Sequence, residues 1–128
     1  MLSDIMIDLE TLATSPNAAV LTIGAVKFDP FNIETDNPTC EKFYVKVDLD
    51  SCDELGLDVN DDTIAWWGQQ SKEAQEEAFS TEGRIHIREA FDRLYKFSWG
   101  AKRVWSHGAS FDTVICENIF RKLNEAVS

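Results

Sequence analysis

Positive charge is what this sequence has least of: 12 Lys and Arg stand against 23 Asp and Glu, for a formal net charge of −11. Proteins that hold nucleic acid by neutralising phosphates carry the opposite balance. Either no nucleic acid is bound, or the acids hold divalent cations that meet the phosphates instead. Cysteine is also scarce, and Cys40, Cys52 and Cys116 are odd in number. With no CxxC pair and no histidine at ligand spacing, neither a zinc site nor a disulfide framework is expected, and reduced cytosolic thiols fit best. Although 44% of the residues are apolar, no run approaches the ~20 needed to span a bilayer. The opening MLSDIMIDLE has an acid at Asp4 and no basic region, so a cleaved secretory signal is not expected. Composition therefore describes a cytoplasmic domain without a membrane segment.

The 128 residues form one domain, 1–128, large enough for a core without disulfides. Repeats, low-complexity tracts and linkers are absent. A small basic concentration (Arg84, Arg88, Arg93, Lys96, Lys102, Arg103) is read as a solvated helix face in preference to a binding patch.

Asp4 to Glu10 alternates as a strand, with Ile5, Ile7 and Leu9 on one face and Met6, Asp8 and Glu10 on the other. Ala19 to Asp29 is a second β-rich run in which Gly24 suggests a bulge or close approach. Phe43 to Val47 is a third strand, and the short connections imply an antiparallel meander. Residues 48–61 are acidic and loop-like, without the alternating ligands of a calcium loop. Asp61 and Asp62 can cap a short helix carrying Ile64, Trp66 and Trp67. Ser71 to Phe79 and Ile87 to Tyr95 follow as helices, the second apolar on one side and ended by Gly100. Arg103 to Ser106 is a fourth strand. After the turn His107-Gly108-Ala109, Ser110 caps a last helix that buries Cys116. The long helical connection before the fourth strand predicts an α/β mixed sheet: a three-strand antiparallel meander, a strand parallel to the first, and flanking helices.

Asp8 and Glu10 are the first candidates for chemistry. Two residues apart in a strand, they point the same way with Cα atoms ~6.5–7 Å apart, and oxygen ligands so placed suit Mg²⁺ or Mn²⁺. A solvated strand face would show the same spacing. The cation reading gains because a central strand rarely carries two acids on one face without something to offset their desolvation. Asp112 begins the last helix, where the helix dipole alone favours an acid. If the fourth strand lies beside the first, that helix opens near Asp8 and Glu10, and three carboxylates converge as a two-metal site requires.

Met6-Ile7-Asp8-Leu9-Glu10-Thr11 resembles the first exonuclease motif of the DEDD superfamily, which includes ribonuclease T, oligoribonuclease and polymerase proofreading domains. Val104-Trp105-Ser106-His107-Gly108-Ala109-Ser110-Phe111-Asp112 resembles its second motif. AVLTIGAVKFD is similar to the family's second strand. Thr63-Ile64-Ala65-Trp66-Trp67-Gly68-Gln69-Gln70 resembles a Thr-x-x-Trp-Trp-x-x-Gln signature. That signature marks a phage, prophage and bacterial branch of 3′→5′ exoribonuclease-like proteins, also found at the front of exodeoxyribonuclease-VIII-like proteins.

The resemblance implies a ribonuclease-H-like fold and a 3′→5′ exonuclease acting on 3′ ends of single-stranded DNA or RNA. It implies Asp8, Glu10 and Asp112 as catalytic metal ligands for two Mg²⁺ or Mn²⁺ ions. Thr11 and Leu12 match positions that touch the terminal nucleotide, Trp67 is a further substrate-side candidate, and His107 a cleft-lining one.

The family's third motif, a His base followed five residues later by a fourth Asp, has no counterpart here. His107 and Asp112 show that offset, but they straddle a strand-turn-helix junction within the second motif. The domain is therefore expected to be incomplete at its C-terminus. Loss of the base removes ~10²–10⁴ in rate, and exposed apolar surface favours self-association. The alternative is a degenerate nuclease-fold domain, a fragment or prophage remnant, that binds without catalysis.

Overall fold

The alternation in DIMIDLET decides the architecture. Ile5, Ile7 and Leu9 are buried, whereas Met6 and Asp8 are exposed and Glu10 half-buried. Strand β1 (Asp4–Thr11) thus has one face to cover with apolar partners and one to leave polar. The computed structural model describes residues 2–31, 40–106 and 111–127. After β1 come β2 (Val20–Phe28), β3 (Cys40–Val47), α1 (Leu49–Glu54), α2 (Asp61–Gly68), α3 (Lys72–Phe79), β4 (Arg84–Ile85), α4 (Ile87–Phe97), β5 (Arg103–Ser106) and α5 (Phe111–Val127).

β1, β2 and β3 form the expected antiparallel meander, and β5 adds parallel to β1. The five-stranded sheet runs β4-β3-β2-β1-β5, an α/β mixed sheet of the ribonuclease-H-like kind. On its apolar face Ile5, Ile7, Leu21 and Ile23 join Phe91 and Leu94 of α4 and Ile115 and Ile119 of α5 in one buried core. Phe91, fully buried, meets Phe120 edge-on at 5.3 Å; burial of a side chain of this size contributes about 1.5–3 kcal/mol. Cys52 and Cys116 lie in the core, and burial pushes their thiols up to about 11 and about 12, so both stay protonated. Among the described residues no helix is long and apolar enough to cross a membrane.

Four expectations need correction. The acidic stretch 48–61 is not all loop, because Leu49–Glu54 forms α1, with Ser51 and Cys52 buried. Ser51 earns that place: its hydroxyl donates to Asp48 O and accepts from Ile87 N, joining α1 to the start of α4. The cap of α2 is Asn60, which accepts from Asp62 N and Thr63 N; Asp61 and Asp62 sit in the first turn. Gly24 is not a bulge but pairs regularly with Asp8 and Tyr44, and a Cβ there would meet Asp8 O at an ordinary 3.6 Å. The register shift lies instead between Glu10 and Thr11. Finally, β4 is an additional strand, parallel to β3.

Arg84, read from sequence as part of a solvated basic face, is a half-buried clasp. Its Nε donates to Ser80 O at 2.8 Å, one terminal nitrogen donates to Leu21 O and Val47 O at 3.0 and 2.9 Å, and the other donates to Ala78 O. The guanidinium thereby ties β2 and β3 to the end of α3. Three others of the basic group are also committed. Arg93 pairs with Glu89, Lys96 with Asp92, and Arg103 with Asp4.

The Asp4 pairing joins the two parallel strands. Asp4 is fully buried and accepts from Arg103 Nε, Trp105 Nε1 at 2.7 Å and Ser3 Oγ at 2.7 Å. Hydrogen bonding from Arg103 is the chief reason its carboxyl is held down at about 2, against an ordinary 3.8.

Two outcomes follow. Replacing Arg84 with Met leaves strand carbonyls without their charged donor and should lower stability by about 2–3 kcal/mol, read as a fall in the urea midpoint. Because Asp4 is depressed in the folded state, its contribution is complete above the unfolded value of 3.8 and is lost as pH falls through about 2. Wild-type melting temperature should therefore drop across that acid window, and Asp4→Asn should flatten this part of the profile.

Candidate functional site

Period-two geometry puts Asp8 and Glu10 on the polar face of β1, and the sheet register gives each a row of neighbours. Asp8 lies across from Gly24, which lies across from Tyr44; Glu10 lies across from Thr22, which lies across from Lys46. Gly24 leaves the space beside Asp8 without a side chain. Thr22 is buried, and its hydroxyl donates to Glu10 Oε1 at 2.7 Å. Asp8 is exposed, so the pair spans the boundary between sheet and solvent.

Beyond Glu10 the strand is bent by the register shift, and the backbone of the next two residues becomes an anchor for α2. Asn60 N donates to Leu12 O at 2.8 Å, while Leu12 N donates to Ala19 O and Ala19 N to Asp58 O. The Asn60 side chain then caps α2, and two turns of helix further on Trp67 Nε1 donates to Thr11 O at 2.9 Å. Trp67 is buried between Trp66 and Phe79, with ring centroids 4.9 and 5.7 Å away. Trp66, its neighbour on the helix, is 52% exposed.

These elements enclose a cavity of ≈ 540 Å³ that opens beside Glu10, walled by Thr11, Thr63, Trp66, Trp67 and Phe111. Phe111 reaches it from the first turn of α5. That helix starts where it does because β5 pairs Ser106 with Ile7, and Ser106 Oγ accepts from Thr113 N at 3.2 Å. Asp112, in the first turn of α5, is only 4% exposed. α5 buries Ile115, Cys116 and Ile119 in the same core as Ile5 and Ile7, on the apolar side of β1, whereas Asp8 and Glu10 leave the other side. Among the described residues no three His, Cys, Asp or Glu side chains group closely enough to hold a metal ion. The donor set of Asp8 and Glu10 fits a hard divalent cation, being all oxygen and exposed to solvent on one side. It is a pair, not the expected triad.

Of the other candidates, Thr11 lines the cavity. Leu12 does not: its side chain is 5% exposed and belongs to the core, so only its backbone serves the site. Trp67 reaches the cavity as a buried wall, and its outer companion Trp66 presents the free ring. His107 lies outside the described residues, as does Ser110. Sequence reasoning missed Thr22, Asn60 and Phe111. A hydroxyl inside the apolar run Val20–Ala25, two residues from Gly24, was the available signal for the first.

Trp67→Phe keeps an aromatic side chain but removes the donor to Thr11 O. The expected loss is about 1 kcal/mol, checked by denaturant titration against the wild type.

A profile of the Rv2179c-like family, described as a 3′-5′ exoribonuclease Rv2179c-like domain, matches residues 3–128. The chain is also similar to an exodeoxyribonuclease of Enterobacteria phage T4, at 29% identity over 133 aligned residues. That alignment takes in 94% of this chain and 56% of the phage protein, so the chain spans little more than half the length of this relative.

Proposed function

The chain belongs to the Rv2179c-like 3′-5′ exoribonuclease domain family, and from that premise we propose that it removes nucleotides from 3′ ends of single-stranded nucleic acid in a reaction dependent on Mg²⁺ or Mn²⁺. The observation that carries this reading is the pair Asp8 and Glu10, projecting from the end of a central strand beside an aromatic-walled cavity. Carboxylates in that position repel a phosphate unless cations lie between them, and the net charge of −11 deepens the repulsion. Bound divalent ions would supply the activation of water and the charge compensation that phosphodiester hydrolysis needs, in a two-metal arrangement.

The chain's own residues then divide the work. Asp8 and Glu10 hold the cations; Asp112, at the start of α5, is not grouped with them among the described residues. Thr11 borders the terminal nucleotide, and Trp66 and Phe111 offer ring faces to its base, a contact that tolerates any sequence. The family description names RNA and the phage relative is an exodeoxyribonuclease, so both substrates belong in the test.

A second reading, a domain that binds without cleaving, is favoured by one observation: the described residues contain no three-acid group. The two readings separate in a single assay with 5′-labelled single-stranded DNA and RNA, in Mn²⁺ or in EDTA. Stepwise shortening from the 3′ end is expected in Mn²⁺ alone, and Asp8→Ala should reduce it to background. Retention of the oligonucleotide without shortening would support the binding domain; cleavage that survives EDTA or Asp8→Ala would overturn the metal site.

A further inference from the structure

We infer that Thr22 is a positioning residue for the metal-binding pair, holding one oxygen of Glu10 so that the other is presented for coordination. The inference rests on the proposed role of Asp8 and Glu10 and extends it to a residue of another strand.

Thr22 sits directly across from Glu10 in the antiparallel β1–β2 register, where Cβ atoms lie within ~4.5–5.5 Å of each other. It is 1% exposed and interrupts an apolar run of β2. A hydroxyl so buried must be hydrogen-bonded, and a backbone carbonyl would have served that need. Its proton goes instead to Glu10 Oε1, at 2.7 Å.

The geometry matters because Glu10 precedes the register shift at Thr11. A glutamate at a bent strand end has free side-chain torsions and would lose rotamer entropy on ligating a cation. The bond to Thr22 removes part of that freedom beforehand. Among the described residues no hydrogen bond reaches Oε2, and Glu10 borders the cavity. Thr22 is itself fixed twice, by β-branching and by its neighbours: the Tyr44 hydroxyl lies beside it and donates to Glu77 of α3. The sheet thereby braces from behind a carboxylate whose front faces solvent.

The test is Mn²⁺ titration of the 128-residue chain, following the loss of the free-ion electron paramagnetic resonance signal, for wild type, Thr22→Val, Thr22→Ser and Glu10→Gln. Outer partners of metal ligands commonly govern affinity by 10–100-fold, so Thr22→Val should weaken Mn²⁺ binding by about 10-fold, and Thr22→Ser should restore it to within ~2-fold of wild type. Thr22→Ala replaces the valine variant if the latter fails to keep wild-type far-ultraviolet circular dichroism. Wild-type affinity in the hydroxyl-free variant, alongside weakened binding in Glu10→Gln, overturns the positioning role and leaves the metal pair standing. A serine variant as weak as the valine one also overturns it, because packing and not the hydroxyl would then be responsible. Absence of Mn²⁺ binding by wild type, or full binding by Glu10→Gln, overturns the metal pair and this inference with it.

Discussion

A strand paired on both edges can reach solvent or core only through its two faces, and β1 is such a strand. Its main chain pairs with β2 along its length and with β5 over Asp4–Ile7. What it places in core and in solvent is written in the alternation of its side chains. Ile5, Ile7 and Leu9 draw α4 and α5 onto one face, and that packing is the bulk of the core. Asp8 and Glu10 are left on the other, next to a cavity whose walls come from elements far away in sequence. The site is thus a by-product of the rule that makes the core: residues that cannot go inward are placed, in register, where the strand ends.

The same strand explains how so acidic a chain stays folded around buried charge. Asp4, at the opposite end from Glu10, is taken out of water altogether, and its carboxylate is matched by a guanidinium, an indole N–H and a hydroxyl. Arg84 performs the converse task, spreading one cation over carbonyls of two strands and a helix end. These two arginines hold the sheet to its surroundings, and Arg93 and Lys96 on α4 pair with acids one turn away. Basic charge in this protein is mainly internal carpentry. On the proposed function, approach of a polyanion to the cavity would depend on ions brought to Asp8 and Glu10.

Much of the fold could be read from the sequence, because its main strands and helices follow period-two and period-3.6 patterns within themselves. The β1 face assignment, the meander, the parallel fourth run of strand and the helix bearing Cys116 all arise that way. What could not be read was decided by partners far along the chain. β4 is two residues long and exists because Lys46 and Val47 are there to pair with it. α1 carries no side-chain cap bond and looks like acidic loop, yet Ser51 makes it an anchor for α4. Arg84 and Arg103 resemble any surface arginine until the carbonyls and carboxylate they meet are known. At the site, the spacing of Asp8 and Glu10 was sufficient to place them together, whereas Asp112 follows a helix that packs on the other side of the strand. The adjacent pair Trp66-Trp67 could not be sorted by sequence either. Neighbours on a helix diverge by about 100°, and only the acceptor at Thr11 determines which of them turns inward.

The way α2 is hung carries a further consequence. Its cap residue and its buried indole are both fastened to main-chain oxygens, Leu12 O and Thr11 O, and not to side chains of the strand. A helix attached in this manner is indifferent to which side chains β1 displays, and β1 is indifferent to what the outer face of the helix carries. Wall and floor of the cavity can accordingly drift apart in evolution. Exchanges at Thr63, Trp66 and their exposed neighbours can reshape the cavity wall while the carboxylates and the sheet stay as they are.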